Sequence, residues 1–450
     1  MDLQAIERAP RDNGYLVGRG PAWFAFGMTL ALMIFDYVDR QVIVSLFPYL
    51  KAEWSLSDKQ LGGLVSVISV TVALGALPVA LVADRYSRVK SIVVMAAVWS
   101  LASISCMFTR GYGQLVVARS LVGLGEAGYG AVGSALIASH FPRRLRGALM
   151  AAFFAAASVG SVLGVVLGGV IAAHWGWKAA FGVVGIPGLV LALLYLRVRD
   201  YHTVELTPQL DRAVSTSGGV LRHVLRALTQ SRTLLWVCIG GAAQLVVVSA
   251  LWSWLPSFLN RVHGVVPERA AMLAALVVLA GALGSVVWGG LVDRLGREQP
   301  QRKLPLLALL CLASMVVLVG AFAAPGLGLA LGTWEQLALI AAGGFLATCT
   351  VGPVTAIVID VVHPGVRSTG ASVLSLFQNL FGLAAGPFIA GALSDTWGLT
   401  ATLVAMPTFA IIAAFAFKIA ARSYVADMER ASAPTVAPEV PPADGTPALT

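Results

Sequence analysis

Ala80-Leu81-Val82-Ala83-Asp84-Arg85-Tyr86-Ser87-Arg88 and Gly289-Gly290-Leu291-Val292-Asp293-Arg294-Leu295-Gly296-Arg297 are the two stretches whose comparison decides the fold. Each follows a long apolar run and precedes another. Each carries an Asp-Arg pair, one spacer, a small residue and a second arginine. Around them the chain repeats itself more widely. Gly160, Gly164 and Gly168 stand before Trp175-Gly176, and Gly382 and Gly386 stand before Trp397-Gly398. The interval from Gly160 to Gly382 equals that from Gly176 to Gly398. Arg144-x-x-Gly147-Ala148 returns as Arg367-x-x-Gly370-Ala371. Repeats related by a half-chain shift mark a transporter built from two similar helical bundles.

Composition points the same way. The chain has 450 residues, 58% hydrophobic and 12% charged. A soluble domain is about 45–50% apolar and about 25% charged. Apolar runs fall at 21–50, 60–83, 89–109, 112–139, 147–173, 178–198, 233–260, 269–292, 303–324, 333–361, 368–392 and 399–421. About 20 apolar residues span a bilayer core as a helix, and a helix satisfies its own backbone polar groups in lipid. The runs are too long for barrel strands and do not alternate. The expected fold is therefore an all-α membrane protein with twelve transmembrane helices in two pseudo-symmetric six-helix bundles.

The net charge of +9 would suggest nucleic acid in a soluble protein. Here the basic residues gather in alternate loops, including Arg85, Arg88, Lys90, Arg143, Arg144, Arg146, Arg294, Arg297 and Lys303. The opposite loops hold Lys51, Lys59, Arg110, Lys178, Arg261 and Arg269. This bias places both termini in the cytoplasm, and no nucleic-acid partner is expected. The segments read as follows: a cytoplasmic start at 1–20, a first bundle at 21–198, and a cytoplasmic linker at 199–232 with a short surface helix. A second bundle follows at 233–422, and an Ala-, Pro- and Thr-rich disordered tail at 423–450. The four cysteines stand singly in apolar runs, so neither disulfides nor a metal site is expected.

The G-x-x-x-D-R-x-G-R loop resembles the signature of the major facilitator superfamily. The second copy matches in full; the first has Ala80 and Ser87 where the pattern has glycine. Within that superfamily the chain resembles the spinster-like transporters. The resemblance rests on Asp36-Tyr37-Val38-Asp39-Arg40 in the first helix and Arg119-Ser120-Leu121-Val122-Gly123-Leu124-Gly125-Glu126-Ala127 in the fourth. Asp36 replaces the family's asparagine and adds a carboxylate. The anion:cation symporters of organic and sugar acids share an Asp-Arg in the first helix and a Gly-Glu-Ala in the fourth. The resemblance implies alternating access, with helices one and four lining the central cavity. It also implies that Asp84, Arg85, Arg88, Asp293, Arg294 and Arg297 latch the cytoplasmic gate while the cavity opens outward.

A charge at bilayer depth costs at least about 2.5–3.5 kcal/mol and usually marks a pathway. Asp36, Asp39, Arg40, Arg119 and Glu126 all lie well inside the first and fourth spans. Arg119 and Glu126, about two turns apart, share one helix face. Asp36 and Arg40 can pair along their helix. Asp39, Glu126 and Asp36 are the candidate proton-coupling residues. Arg119 and Arg40 are the candidate anion-binding residues, because a guanidinium grips phosphate or carboxylate with two parallel bonds. The proton is the expected coupling ion, and no cofactor is expected. The second bundle offers Gln244, Trp252 and Thr348 as further substrate-binding candidates, with Gln378 and Asn379 serving equally well to join helices. The glycine stripes read as packing and sliding surfaces between the halves.

One charged wall and one mostly apolar wall fit an anionic amphiphile, such as a lysophospholipid or sphingolipid-like molecule. The alternative is proton-linked symport of a small organic anion, a sugar acid or aromatic acid. No nucleotide-binding loop, HExxH or GxSxG is present, so an enzyme or an ATP-driven pump is not expected. The expected protein is a monomeric secondary transporter of a bacterial inner membrane, with the lipid bilayer and a small anionic or amphiphilic substrate as its partners.

Overall fold

In a computed structural model, residues 15–199, 231–328, 331–362 and 367–432 are described. Twelve helices among them are long and apolar enough to cross a membrane. The first six are α1 Arg19–Trp54, α2 Asp58–Arg85, α3 Arg88–Cys106, α4 Tyr112–His140, α5 Arg143–Trp175 and α6 Trp177–Tyr195. The second six are α7 Arg232–His263, α8 Pro267–Glu298, α9 Lys303–Ala323, α10 Thr333–Val361, α11 Gly370–Trp397 and α12 Leu399–Ala431. Large apolar side chains such as Val286, Leu309, Val316 and Phe415 stand exposed on the outside of the bundle. In lipid that exposure carries no penalty, whereas in water patches of this kind mark binding surfaces or aggregation. The expected linker helix and most of the expected disordered tail lie outside the described residues. The second piece of α12, Phe409–Ser432, runs past residue 422. There Tyr424 and Asp427 are buried, and Asp427 accepts hydrogen bonds from Ser231 Oγ (2.9 Å) and the Thr233 N–H (3.1 Å) at the start of α7.

Local chemistry sets the helix ends. Ser57 and Gln60 form a reciprocal capping box at the start of α2. Ser87 caps α3 by accepting the Lys90 N–H at 3.1 Å, which gives the departure from glycine in the first loop copy a purpose. In the second copy the small residue is required. A Cβ on Gly296 would fall 1.9 Å from Lys303 Cε, because the lysine stem crosses that glycine before its Nζ reaches Asp360 at 3.0 Å.

Four spans are not continuous; in α12, Met406–Thr408 form a 3₁₀ turn between the two helical pieces. In α4, the helix stops at Glu126 and restarts at Tyr129, with Gly128 at φ 84° between the two pieces. In α10, Thr348–Thr350 form a single 3₁₀ turn. In α11, Gln378–Leu383 form a π-helical turn, a feature frequent at functional positions. The breaks in α4 and α10 occupy corresponding spans of the two halves.

The glycine stripes do not lie between the halves, contrary to the expectation from sequence. A Cβ at Gly160, Gly164 or Gly168 would come within 2.4–2.6 Å of the Ile34, Val38 or Val42 carbonyl, so α5 packs onto α1 inside the first half. Gly382 and Gly386 likewise seat α11 on α7 at Leu245 and Ser249. The seam uses other glycines. A Cβ on Gly62 would lie 2.2 Å from the Pro387 oxygen, one on Gly391 2.3 Å from the Asp58 oxygen, and one on Gly169 2.5 Å from Ala271 Cβ. All three sit toward the membrane side opposite the N-terminus, here called the far side. Gly62→Ala is expected to push α2 off α11 and open that side. With overpacking costing about 1–3 kcal/mol, labelling of a Ser66→Cys reporter by an impermeant maleimide should quicken about tenfold.

Candidate functional site

The charged residues of the first and fourth spans meet in one cluster, buried except for the partly exposed Arg40. On α1, Asp36 Oδ1 accepts from Arg40 Nε at 3.2 Å. Arg40 Nε also lies 3.0 Å from Glu126 Oε2 on α4. One turn along, Arg119 Nη1 donates to the Asp39 main-chain oxygen at 3.1 Å and stands 3.6 Å from Asp39 Oδ1. Ser103 Oγ of α3 donates to the same Oδ1 at 2.7 Å. The Arg119 guanidinium carbon sits 5.8 Å from the Phe181 ring centroid on α6, and Arg40 lies 5.3 Å from Tyr37. Sequence singled out neither Ser103 nor Phe181. Nothing in a lone serine or phenylalanine of an apolar span distinguishes it before the helices are packed.

The arrangement leaves much unsatisfied. Arg119 has no solvent exposure, yet its Nε and Nη2 have no hydrogen-bond partner. Asp39 Oδ2 and Glu126 Oε1 are in the same condition, while Glu126 Oε2 has only its ion pair with Arg40. Buried polar groups are almost always partnered, so a concentration of orphans at one place calls for an explanation, such as a ligand or an ion. The charge count is also odd: three carboxylates face two guanidiniums. The break in α4 directly after Glu126 belongs to the same locus, as in transporters whose sites lie at interrupted helices.

The second-half candidates are differently placed. Gln244 is fully buried and donates to Ser314 Oγ on α9 (3.2 Å) and the Ala347 oxygen on α10 (3.0 Å). Thr348 Oγ1 donates to the Gly281 oxygen on α8 at 2.7 Å. Both side chains therefore direct their donors to neighbouring helices of their own half. Trp252 keeps a buried Nε1 without a partner. Among the loop residues, Asp293, Arg294 and Arg297 are exposed, and Arg88 Nη1 donates to Ser139 Oγ at 3.3 Å within the first half. The side chains of Asp84 and Arg85 lie outside the described residues.

Among the described residues, the hydrogen bonds and ion pairs seen to join the two halves cluster at the far side, which sequence reasoning did not anticipate. Asp58, at the start of α2, accepts from Arg261 Nη1 (2.6 Å) and Nη2 (2.9 Å) on α7 and from Ser394 Oγ (2.6 Å) on α11. Asp395 accepts the N–H groups of Asp58 (2.7 Å) and Lys59 (2.9 Å). Deeper in, Ser66 Oγ donates to the Ala384 oxygen at 2.6 Å, at the end of the π turn. This structure is thus closed at the far side. The only sequence signal was an acid at a helix start facing sparse basic loops.

These features meet their likeness in known proteins. The Major Facilitator Superfamily family model matches residues 29–383. The chain belongs to the Major Facilitator Superfamily. It is accordingly a multi-pass integral membrane protein and a secondary transporter, not an enzyme. It is 26% identical over 390 residues to Protein spinster of Drosophila melanogaster, covering 84% of this chain but only 63% of that longer protein. It is 29% identical over 425 residues to a gallate transporter of Pseudomonas putida, covering 86% of this chain and 90% of that one. In three dimensions it matches a bacterial homolog of the human lysosomal transporter Spinster in an inward-facing, unoccupied conformation. The TM-score is 0.79 at 21% identity, covering 91% of this chain and 99% of the other, and that likeness carries the fold.

Arg40 is the countercharge for Asp36 and Glu126 together. Arg40→Gln is expected to lower the melting temperature in detergent, since breaking a buried pair costs about 3–5 kcal/mol. Adding Glu126→Gln should restore part of the loss. A double variant no more stable than the single one would show that the Arg40–Glu126 contact contributes nothing.

Proposed function

We propose that this transporter is proton-coupled and carries an anionic amphiphile, a lysophospholipid or sphingolipid-like molecule, through a bacterial inner membrane with both termini in the cytoplasm. The observation that supports this best is Arg119: a fully buried guanidinium with two unpartnered nitrogens at the junction of α1, α3, α4 and α6. Those nitrogens suit a carboxylate or phosphate. Three carboxylates against two arginines leave one uncompensated negative charge, which one proton neutralises. Asp39 and Glu126, each with one buried carboxylate oxygen that has no partner, are the proposed proton carriers, with Asp36 linked to Glu126 through Arg40. An anion on Arg119 draws that arginine away from Asp39 and favours the proton there. Once protonated, the cluster carries less charge into the closed state.

The apolar character of the second half supports the amphiphile, with Trp252 against the chain. The same chemistry accommodates a small organic anion, and the likeness to the gallate transporter over 90% of that protein's length favours it as the second reading. In either case the loop residues Asp84, Arg85, Arg88, Asp293, Arg294 and Arg297 are the proposed latch of the terminal side. They would engage only when the far side opens.

Flux into proteoliposomes under an imposed pH gradient tests the proposal, comparing a labelled lysophospholipid with gallate. Lipid flux abolished by Arg119→Ala is the expected result, and gallate flux without lipid flux moves the cargo to the second reading. Asp39→Asn should abolish accumulation driven by the pH gradient. Full retention of that accumulation removes Asp39 from the coupling.

A further inference from the structure

The far-side closure is unequally shared between the halves. Asp58 has a partner in its own half: Lys51 Nζ donates to it at 2.6 Å. The other donors, Arg261 and Ser394, belong to the second half. Arg261 is ion-paired to Asp58 alone among the described residues, and its guanidinium lies 5.9 Å from the Trp254 ring centroid. Trp254 is fully buried. It donates Nε1 to the Pro387 oxygen at 3.1 Å in its own half and meets Phe47 of α1 across the seam, centroids 5.2 Å apart.

Alternating access in this architecture is largely a rocking of one bundle against the other. Contacts within a half persist, and contacts across the seam part. On opening, Asp58 keeps Lys51, while Arg261 loses both oxygens it now holds. Trp254 keeps Pro387 and loses Phe47. The first half thus stays neutralised at this point, and the second half uncovers a guanidinium beside an indole. A guanidinium takes a carboxylate or phosphate bidentately, and an aromatic ring beside it receives the apolar body of the same molecule. One resident group competes. Asp395 of α11, now engaged with the N–H groups of Asp58 and Lys59, is released in the same movement on the same half as Arg261.

We propose that Arg261 and Trp254 form an outer capture subsite for the cargo's anionic group, present only while the far side is open. The anion takes over on Arg261 the place that Asp58 holds in the closed state. Bound there, it holds the gate open, and the gate closes when the anion moves inward and Asp58 recovers the arginine. The subsite rests on the reading above that the cargo is an anion.

Arg261→Gln and Asp58→Asn break the same ion pair, so a mere latch predicts the same behaviour from both. A capture subsite predicts opposite behaviour. The reporter is Ser66→Cys in a chain whose four native cysteines are replaced, labelled from the far side by an impermeant maleimide in right-side-out vesicles. Benzoate or inorganic phosphate should speed labelling in this parent. The effect should vanish in Arg261→Gln and appear at lower anion concentration in Asp58→Asn. In transport from the far side, the apparent KM for gallate or a lysophospholipid should rise about tenfold in Arg261→Gln and fall in Asp58→Asn. Whichever of the two cargoes shows that split identifies the source of the anion. Anions that leave the parent's labelling unchanged, or speed Arg261→Gln equally, overturn the subsite. If labelling responds as described while neither anion is transported, Arg261 binds anions in the open state but does not capture cargo, and the cargo reading fails.

Discussion

Holding Asp36, Asp39, Arg40, Arg119 and Glu126 at membrane depth is the constraint around which the first half is organised. Each charge alone would cost about 2.5–3.5 kcal/mol or more in hydrocarbon. The cost is contained because α1 and α4 bring opposite charges together, and because α3 and α6 add the Ser103 hydroxyl and the Phe181 ring. The containment is incomplete. Orphaned nitrogens on Arg119 and orphaned oxygens on Asp39 and Glu126 leave the cluster electrostatically unsettled. A fully satisfied network would hold its helices fast but give a passing anion or proton nothing to bind.

Among the described residues, the second half carries no comparable cluster. Gln244 and Thr348 bind α7 to α9 and α10, and α10 to α8, as neutral polar side chains commonly do between membrane helices. At its far end it carries Arg261. That changes the picture of one charged and one apolar wall: the second half is apolar through its middle and holds the Arg261 guanidinium, with Asp395 on the same half, at its mouth. An amphiphile and a small aromatic acid both suit such a path, because each combines one anionic group with an apolar body.

Closure of the far side is stitched by few polar contacts and much close packing. Asp58 collects donors from both halves, Asp395 caps the start of α2, and glycines 62, 169 and 391 let backbones approach where any side chain would intrude. The π turn of α11 ends where its Ala384 oxygen receives Ser66 Oγ.

The spans, the two-fold repeat and the five charges within spans were legible because each depends on local pattern: run length, a recurring loop, and charge where lipid tolerates none. The functional pairing of helices one and four came from resemblance, since no spacing rule links Arg40 to Glu126. Tertiary structure alone decided which surfaces the glycine stripes meet, and it turned them from the seam to the interior of each half. It alone exposed the break after Glu126, because glycine-rich apolar sequence fits a straight helix and a broken one equally well. It alone joined Asp58 to Arg261, two residues at opposite ends of a long stretch of chain. Sequence by itself determines what must be buried, since hydrophobicity and charge act residue by residue. Which buried groups find partners, and which are left for a ligand, depends on how the helices pack, and only the folded chain fixes that.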